Sequence, residues 1–352
     1  MIVQIVPHLP PPDEGVGSFA LVLADLLRAR WALESRFLVA SPSWSAGPEV
    51  EGTAAAARLP AAEPGTLRRA IEEAAGDRQA TVLLHYAGYG YHPRGCPAWL
   101  VEELKQWTAR DGRRLVTVFH EVYATGPPWR SSFWLSPVQR RLAGILARHS
   151  AGLVTSLGIY RRNLLRRAPG REVRVLPVFS TVGEPSAVPP LADRARRLVL
   201  FGGPGIRGRA YRWLAAPLAE TCRALGIEEI CDVGPPVADR PDRIDGVPVR
   251  SLGILPAAEV SGLLRESLAG FVAYPAPFLA KSTVFAAYCA HGMLPVSAWH
   301  RRRREFDPPP PCWRPVSGRL GDPQAVAGRA RAWYAGHCLD RHAEAYRELL
   351  LP

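Results

Sequence analysis

Lysine is nearly absent from this sequence. Of the 44 basic residues in a chain of 352, only Lys105 and Lys281 are lysine, and the others are arginine. A lysine is therefore an unusual choice here, and its compact ammonium group differs chemically from the planar arginine fork. Lys281 stands in PFLAKSTVFAAYCAHGMLPV (277–296), directly before Ser-Thr and a predicted helix. This placement makes Lys281 a candidate for contact with an anionic ligand.

Metal-binding patterns are also lacking. The six cysteines lie far apart without a C-x-x-C pair, no histidines stand at metal-ligand spacing, and no Asp-x-Asp pair occurs. In a chain of this length, such cysteines predict free thiols in a reducing compartment rather than a disulfide framework. We therefore expect neither a bound metal nor another cofactor.

A long apolar run is the third absence. No stretch approaches the roughly 20 apolar residues that span a bilayer, and MIVQIV lacks the charged region of a signal peptide, so we expect a cytoplasmic protein. The net charge of +12 nevertheless indicates an anionic partner. The run Arg301–Arg304 is either a solvated loop or a peripheral contact with anionic lipid at the inner membrane face. Without a recognised nucleic-acid motif, we expect no nucleic-acid partner.

Short apolar runs alternate with amphipathic helices, which is the pattern of an α/β fold with parallel sheets. IVQIV (2–6) is apolar at nearly every position, as a strand buried on both faces must be. A second strand and helix series begins after a proline-rich, charged linker at 180–197. We predict a Rossmann-like domain over 1–184, a second one over 185–322, and a helical segment over 323–352 that packs back on the first.

Two such domains facing each other across a cleft would bind ligands at the carboxyl ends of their strands. Three segments there suit anions. In the first, PHLPPPDEGVGSFA, Gly15 and Gly17 open a helix whose N-terminal N–H groups favour a negative ligand. The G-x-G-x-x-G dinucleotide fingerprint is absent and the loop is too long for it. The two glycines indicate either an anion-binding turn or an ordinary structural turn.

The second segment, LFGGPGIRGRAYRW, again follows a predicted strand. Gly202 and Gly203 allow the backbone to approach a ligand closely, and Arg207 or Arg209 has the planar fork that clamps phosphate. The other interpretation is a glycine turn with solvated arginines. The strand before this segment and the helix after it favour ligand binding.

The third segment carries Lys281. Ser282 or Thr283 can cap the helix that follows, so that the N–H groups of its first turn and the Lys281 ammonium converge on one point. Such a point suits a diphosphate. The alternative is a surface lysine that extends its charge into water.

Two loops after middle strands, HYAGYGYHPRGCPAWL (85–100) and HEVYATGPPWRSSFW (120–134), are dense in aromatic residues. Loops at this edge of a sheet often carry binding residues. We predict a sugar or acceptor platform there, with Arg130 for an anionic acceptor, although any single ring can instead fill the core. The candidate rings are Tyr86, Tyr89, Tyr91, Trp129 and Trp134.

These segments, in this order, resemble the two-domain GT-B glycosyltransferases, in particular the retaining bacterial mannosyl- and glucosyltransferases of the family 4 type. Gly15 and Gly17 match the glycine pair after the first strand of that group. Gly202 and Gly203 match the glycine-rich turn with basic residues that opens the second half. AAYCAHGMLPV (286–296) is similar to the helix-Gly-Pro-Val ending of the donor domain.

The resemblance implies a nucleoside diphosphate-sugar as the donor. His120, in VTVFHE, matches a histidine that reaches the donor sugar, and Glu121 is expected to hold His120 or a sugar hydroxyl. Lys281 and Arg207 would stabilise the departing diphosphate without a metal.

The match is incomplete at the third segment. The family carries two glutamates there, for the sugar hydroxyls and the ribose. Counted back from Gly292, those positions hold Leu279 and Ala287. Recognition of ribose and sugar by these carboxylates is therefore not implied.

His8 stands where some inverting GT-B enzymes keep a general base, with Asp13 or Glu14 as its partner, so retention and inversion both stay open. The expected function is hexosyl transfer to a glycan, lipid-linked or small-molecule acceptor. The missing glutamates leave a catalytically silent sugar- or nucleotide-binding protein as the alternative. An NAD-dependent oxidoreductase is disfavoured, because the dinucleotide fingerprint is absent.

Overall fold

The structure is a computed structural model of the chain, and it describes residues 1–10, 15–40, 44, 56–59, 63–76, 78–124, 126–298, 307–315 and 320–351. The chain forms two compact units. Unit 1 comprises Met1–Leu176 together with His342–Pro352, and unit 2 comprises Pro177–Arg341. The expected base partners Asp13 and Glu14 and the run Arg301–Arg304 lie outside the described residues.

Unit 1 is built on a parallel sheet of seven strands. They are Ile2–Val6 (β1), Ser35–Val39 (β2), Ala56–Arg58 (β3), Thr81–Tyr86 (β4), Arg114–Phe119 (β5), Gly152–Thr155 (β6) and Arg174–Val175 (β7). Their spatial order is β3-β2-β1-β4-β5-β6-β7. β1 is buried at every position, because helices cover both faces of a parallel sheet.

Six helices of unit 1 connect these strands. They are Gly15–Trp31 (α1), Thr66–Ala75 (α2), Gly88–Tyr91 (α3), Ala98–Thr108 (α4), Ser131–His149 (α5) and Gly158–Leu165 (α6). α1 buries Phe19, Leu23 and Leu27 at four-residue intervals, which is the spacing of one helical face. This face brings the Phe19 ring to the sheet.

Unit 2 contains a sheet of six strands. They are Ala195–Phe201 (β8), Glu229–Val233 (β9), Arg243–Ile244 (β10), Val247–Gly253 (β11), Ser267–Phe271 (β12) and Leu294–Val296 (β13). Their order is β10-β11-β9-β8-β12-β13, and every pair is parallel except the β10–β11 hairpin. The helices are Pro204–Trp213 (α7), Ala215–Leu225 (α8), Ala257–Glu266 (α9), Thr283–Ala290 (α10) and Pro323–Ala335 (α11), with short 3-10 turns at Leu191–Asp193 and Ala276–Lys281.

The last helix, Leu339–Leu350 (α12), returns the chain to unit 1. The Thr81 hydroxyl donates to the Leu350 carbonyl at 3.1 Å. Arg174 of β7 pairs with Glu348 at 2.6 Å. Unit 1 is therefore assembled from two separate segments of the chain.

The prediction of an α/β fold with two Rossmann-like parallel sheets is confirmed. The details at the junctions differ from the sequence-based bounds. The chain leaves unit 1 after Leu176, whereas the predicted boundary follows 184. β8 already begins at Ala195, inside the predicted linker, because its first positions are exposed and so carry charge. The predicted tail is two helices, since α11 ends at a Gly336 cap.

Strand order reverses once in each sheet. In unit 1 the reversal is at β1, which lies between β2 and β4, and in unit 2 it is at β8, which lies between β9 and β12. Ligands of open α/β sheets bind outside the carboxyl ends of strands at such switch points. The loops that follow β1, β4, β8 and β12 are therefore the places where functional side chains are expected.

All six cysteines are free thiols. Burial raises the pKa of Cys222 and of Cys231 to about 12, so these thiols stay protonated near neutral pH. In the described part of the chain, no helix combines the length and the apolar character that crossing a membrane requires.

Candidate functional site

A chain of polar side chains lies beneath the strand ends of unit 1. Gln4 of β1 donates from Nε2 to the Ser35 hydroxyl at 2.8 Å, and its Oε1 lies 2.8 Å from Nε2 of His85 in β4. Nδ1 of His85 lies 3.2 Å from Nε2 of His120, which directly follows β5. Ser35, Gln4 and His85 are buried, whereas His120 is half-buried. The predicted sugar-binding histidine is thus the most exposed member of a four-residue chain.

These hydrogen bonds define which nitrogen of each imidazole carries a proton. The Gln4 carbonyl oxygen only accepts, so Nε2 of His85 is the donor. Burial, together with the nearby His120, holds the pKa of His85 well below its usual value, so His85 is neutral and its Nδ1 carries a lone pair. His120 then donates from Nε2 to that lone pair. In the His120 tautomer that has its proton on Nε2, Nδ1 is the acceptor nitrogen of the ring.

Packing restricts the rotation of both imidazole rings. Phe19 of α1 lies edge-on to both, with ring centroids 6.0 Å from His85 and 5.2 Å from His120. The backbone N–H groups of His120 and Glu121 both donate to the Tyr86 carbonyl, at 3.0 and 3.3 Å. The chain therefore turns directly after β5, and the His120 side chain is fixed at the strand end.

The two glycines at the start of α1 have different environments. A Cβ on Gly17 would lie 2.5 Å from the His8 carbonyl oxygen, because the loop after β1 passes directly over this residue. Gly15 is exposed, and within the described ranges no atom lies within 4 Å of the position that a Cβ would take there. Close packing explains glycine at 17. An anion-binding role for the pair stays a prediction.

The predicted aromatic platform is divided between core and surface. Tyr86 is 1% exposed, and Tyr91 donates from its buried hydroxyl to two backbone carbonyls. These two rings belong to the core, so the prediction of an acceptor role for Tyr86 is wrong. Tyr89 is 43% exposed, Trp129 is 83% exposed and Arg130 is exposed. Trp134 is 68% exposed, so Tyr89, Trp129, Trp134 and Arg130 are the predicted residues that lie where an acceptor can reach them.

In unit 2 the glycine turn after β8 meets the start of α10. Gly202 has a φ of 110°, a conformation that side chains strongly disfavour. A Cβ on Gly202 would lie 2.8 Å from Val284 in the first turn of α10. Gly203 is the N-cap of α7 and precedes Pro204 at the first helical position. Two of the three predicted anion-binding segments therefore lie side by side.

Arg207 lies inside this turn rather than on its surface. It is 0% exposed, and its Nε donates to the Gly202 carbonyl at 2.7 Å. Its terminal nitrogens contact the Asp232 carboxylate and the Pro235 carbonyl, and the Tyr211 hydroxyl donates to the second Asp232 oxygen. The prediction that Arg207 contacts the departing diphosphate is therefore wrong. Its buried fork instead joins the loops after β8 and β9.

Lys281 ends the 3-10 turn before α10 and is half-buried. Of the two predicted caps, α10 uses Ser282, whose hydroxyl accepts from the Phe285 N–H at 3.2 Å. Thr283, the first residue of the helix, is half-buried. A helix start leaves backbone N–H groups pointing outward along its axis. Lys281 adds a positive charge directly before them in the chain.

The positions that lack the family glutamates lie in the core of unit 2. Leu279 and Ala287 are both 0% exposed. The neighbouring Tyr288 hydroxyl donates to the Val199 carbonyl at 3.0 Å and accepts from the Phe201 N–H at 3.1 Å. These bonds fix α10 against β8. A carboxylate at 279 or 287 would be buried here, at high cost without a partner.

Five residues of these two clusters are not among those predicted from the sequence: Gln4, Ser35, His85, Asp232 and Tyr211. Gln4 and Asp232 are each a polar residue within a buried strand. A buried polar side chain needs a hydrogen-bond partner. A polar residue within a buried strand therefore indicates a hydrogen-bond network, but it does not identify the residues to which that side chain bonds. The alternative phosphate clamp, Arg209, is half-buried on α7.

No protein-family model matches the sequence, and no curated protein matches it. Solved structures resemble it over both units. WaaG, a glycosyltransferase of lipopolysaccharide biosynthesis, covers 100% of both chains with a TM-score of 0.60 and 12% identity. HepE of Anabaena, solved with UDP and glucose, covers 99% of this chain and 98% of its own, with a TM-score of 0.58 and 12% identity.

A glycosyltransferase from Rickettsia africae covers 99% of this chain and 97% of its own, with a TM-score of 0.57 and 12% identity. At these identities the likeness establishes the fold. The chain has the GT-B fold of these glycosyltransferases, as the sequence predicted.

Proposed function

We propose that this protein is a glycosyltransferase that moves a sugar from a nucleoside diphosphate-sugar to a sugar-containing or lipid-linked acceptor, without a metal ion. The GT-B fold supports the proposal, because glycosyltransferases share it. The observation that carries it is the contact between Gly202 and the first turn of α10, with Lys281 directly before that helix.

Unit 2 supplies the donor site in this proposal. The positive Gly202 φ lets the backbone after β8 turn sharply, and the N-terminus of α10 offers N–H groups to a diphosphate. Lys281 adds a compact charge that stabilises the leaving phosphate as its own charge grows. Ser282 contributes through its cap, which fixes the helix start.

Unit 1 supplies the histidine that orients the sugar. The hydrogen-bond chain through His85 and Gln4 supports a His120 tautomer with its proton on Nε2 and with Nδ1 as the acceptor nitrogen. In this proposal Nδ1 accepts a hydrogen bond from a sugar hydroxyl. Because burial holds the pKa of His85 well below its usual value, His85 stays the acceptor of the bond from His120 and fixes the orientation of that ring.

A UDP-hexose is the first donor we propose to test. HepE was solved with UDP and glucose, and an alpha-glucosyltransferase that covers 99% of this chain was solved with UDP-glucose and DNA. We further propose a cytoplasmic location, which the six free thiols support.

The test is turnover of UDP-, GDP-, ADP- and dTDP-sugars by the wild-type protein and by two lysine variants. Lys281→Ala is expected to lower kcat with the accepted donor at least ~10²-fold, the scale of losing one transition-state contact. Lys105→Ala is the matched control, because this exposed lysine pairs with Glu102 on the same helix. It should leave turnover unchanged.

Equal turnover in the Lys281→Ala and Lys105→Ala variants would refute the donor site. Binding of a nucleotide sugar with neither transfer nor hydrolysis would refute the enzyme and support a silent binding protein of this fold. A thermal-shift series with the same nucleotides separates these outcomes, since a bound ligand stabilises the folded form by mass action.

A further inference from the structure

One surface of unit 1 presents large apolar side chains to solvent. Trp129, just before α5, is 83% exposed, and on α5 itself Trp134 is 68%, Val138 46% and Phe133 42% exposed. The Phe133 and Trp134 rings lie edge-on to each other, with centroids 5.3 Å apart. Scattered exposed hydrophobics are ordinary, but a contiguous group of this size indicates a binding surface.

The same face of α5 becomes basic toward its C-terminus. Trp134, Val138, Arg141, Ile145 and Arg148 follow one another at three- or four-residue intervals, so they line one side of the helix. Arg141 and Arg148 are exposed and Ile145 is half-buried. The helix thus has an aromatic end and an arginine end on a single stripe.

Acidic residues are missing from this whole region. Between Glu121 and Glu172 the sequence contains no aspartate or glutamate, and it contains nine arginines. The segment therefore carries most of the net charge of +12. These arginines are at 130, 140, 141, 148, 161, 162, 166, 167 and 171.

α6 adds its arginines to the same side of the sheet. Consecutive right-handed crossovers place α5 and α6 on one face. A Cβ on Gly144 of α5 would lie 2.7 Å from the side chain of Arg167, which follows the end of α6 at Leu165. Arg148 donates to the Arg167 carbonyl at 2.6 Å. Burial is the main cause that lowers the pKa of Arg167, and the nearby Arg140 and Arg166 add to it.

We propose that this aromatic and arginine surface of α5 and α6 docks on a bilayer that contains anionic lipid. Tryptophan and phenylalanine side chains insert at the level of the lipid headgroups, where their surroundings are partly hydrocarbon and partly water. Each arginine near an anionic leaflet adds attraction. The proposal goes beyond sugar transfer and does not depend on it.

A lipid surface fits this stripe better than a nucleic acid does. Base stacking uses aromatic platforms inside a positively charged groove. Here the rings project from an exposed helix face, and Val138 at 46% exposure and the exposed Pro137 extend the apolar end. Aliphatic side chains gain from contact with hydrocarbon and not from a phosphodiester backbone.

The experiment is flotation of the full chain with vesicles of phosphatidylcholine alone or mixed with phosphatidylglycerol, without any nucleotide sugar. The wild-type protein is expected to float only with the mixed vesicles, and less at high salt. The double variant Trp129→Ala and Trp134→Ala should bind them at least ~10-fold more weakly. Arg141→Gln should weaken binding about fivefold, since each basic residue contributes on that scale.

Matched controls lie on unit 2. Trp213 is 66% exposed and Arg250 has a side chain that is 67% exposed, so Trp213→Ala and Arg250→Gln should bind the vesicles like the wild type. Unchanged melting temperatures establish that all variants fold. Equal flotation of the Trp129, Trp134 double variant and Trp213→Ala would overturn the proposal. The proposal would also be overturned if the protein bound oligonucleotides instead of vesicles and the Trp129→Ala and Trp134→Ala substitutions abolished that binding. Neither result bears on donor turnover.

Discussion

In unit 1 the polar residues beneath the strand ends form an uncharged chain from Ser35 through Gln4 and His85 to His120. In unit 2 the corresponding place below the glycine turn holds a buried ion pair between Arg207 and Asp232. Both sheets reverse at their first strand, so the topology is shared while the chemistry differs. In the hydrogen-bonded chain, the positions of the protons fix the orientation of each side chain. In the ion pair, the attraction between opposite charges fixes the side chains, and the pair is costly to break.

The largest effect is expected when the ion pair is broken. Arg207→Ala leaves the Asp232 carboxylate buried without its charge partner and should lower the free energy of unfolding by about 3–5 kcal/mol. Urea denaturation measures this change, and hydrogen exchange should show that protection is lost in unit 2 while unit 1 keeps it.

Arg212→Ala is the control for that comparison. Arg212 lies on the same helix but is exposed, so its removal should change the free energy of unfolding by less than about 1 kcal/mol. If both variants unfold at the same urea concentration, Arg207 does not stabilise unit 2.

A smaller effect is expected when the uncharged chain is cut. Gln4→Leu removes the acceptor of the His85 Nε2–H and should lower the free energy of unfolding by about 1–3 kcal/mol. In the wild-type protein, nitrogen NMR should find the proton of both His85 and His120 on Nε2. The Leu variant should lose this defined pattern.

Gln106→Leu is a suitable control, because Gln106 is exposed and donates to Glu102 of the same helix. Protons on Nδ1 of His85 and His120 in the wild-type protein would show that the chain runs in the opposite direction.

The smallest effect is the response to mild acid, and both units contribute to it. Burial lowers the pKa of His85 well below 6.5 and that of His291, in unit 2, to about 4. The unfolded chain binds protons at these sites near pH 6.5, but the folded chain does not. Stability from these groups is therefore complete above that pH and falls as the pH drops below it.

Urea denaturation between about pH 7 and pH 5 measures this slope. His85→Gln should flatten it, whereas the half-buried His92 in the matched variant His92→Gln should leave it unchanged. Part of the slope should survive through His291, whereas a slope as steep in His85→Gln as in the wild type would show that His85 does not contribute.

Local patterns predicted most of the fold. IVQIV, predicted as a strand buried on both faces, is β1 over its full length. The start of α5 is harder to predict, because Pro137 lies inside the helix rather than at its start. A proline inside a helix removes one i→i−4 hydrogen bond, so the sequence favours a helix that starts at 137 and does not reveal the residues of α5 that precede it.

The site was harder to predict, because its partners lie far apart in the chain. His120 can be identified at a strand end from VTVFHE, but its contact with His85 depends on β4 and β5 being neighbours. The glycine-rich segment around Arg207 predicts a side chain that is exposed to solvent and binds phosphate. Its pairing with Asp232, 25 residues away, appears only when β8 and β9 align in the sheet.

The return of α12 to unit 1 separates the order of synthesis from the order of folding. Domains usually fold as they emerge, beginning with the N-terminal one. Here Glu348, which pairs with Arg174, and the Leu350 carbonyl, which accepts from Thr81, are translated after every residue of unit 2. Unit 2 has its full set of residues before the ribosome delivers 342–350, the part of α12 that belongs to unit 1. The half of the protein that is translated first is thus the last to be completed.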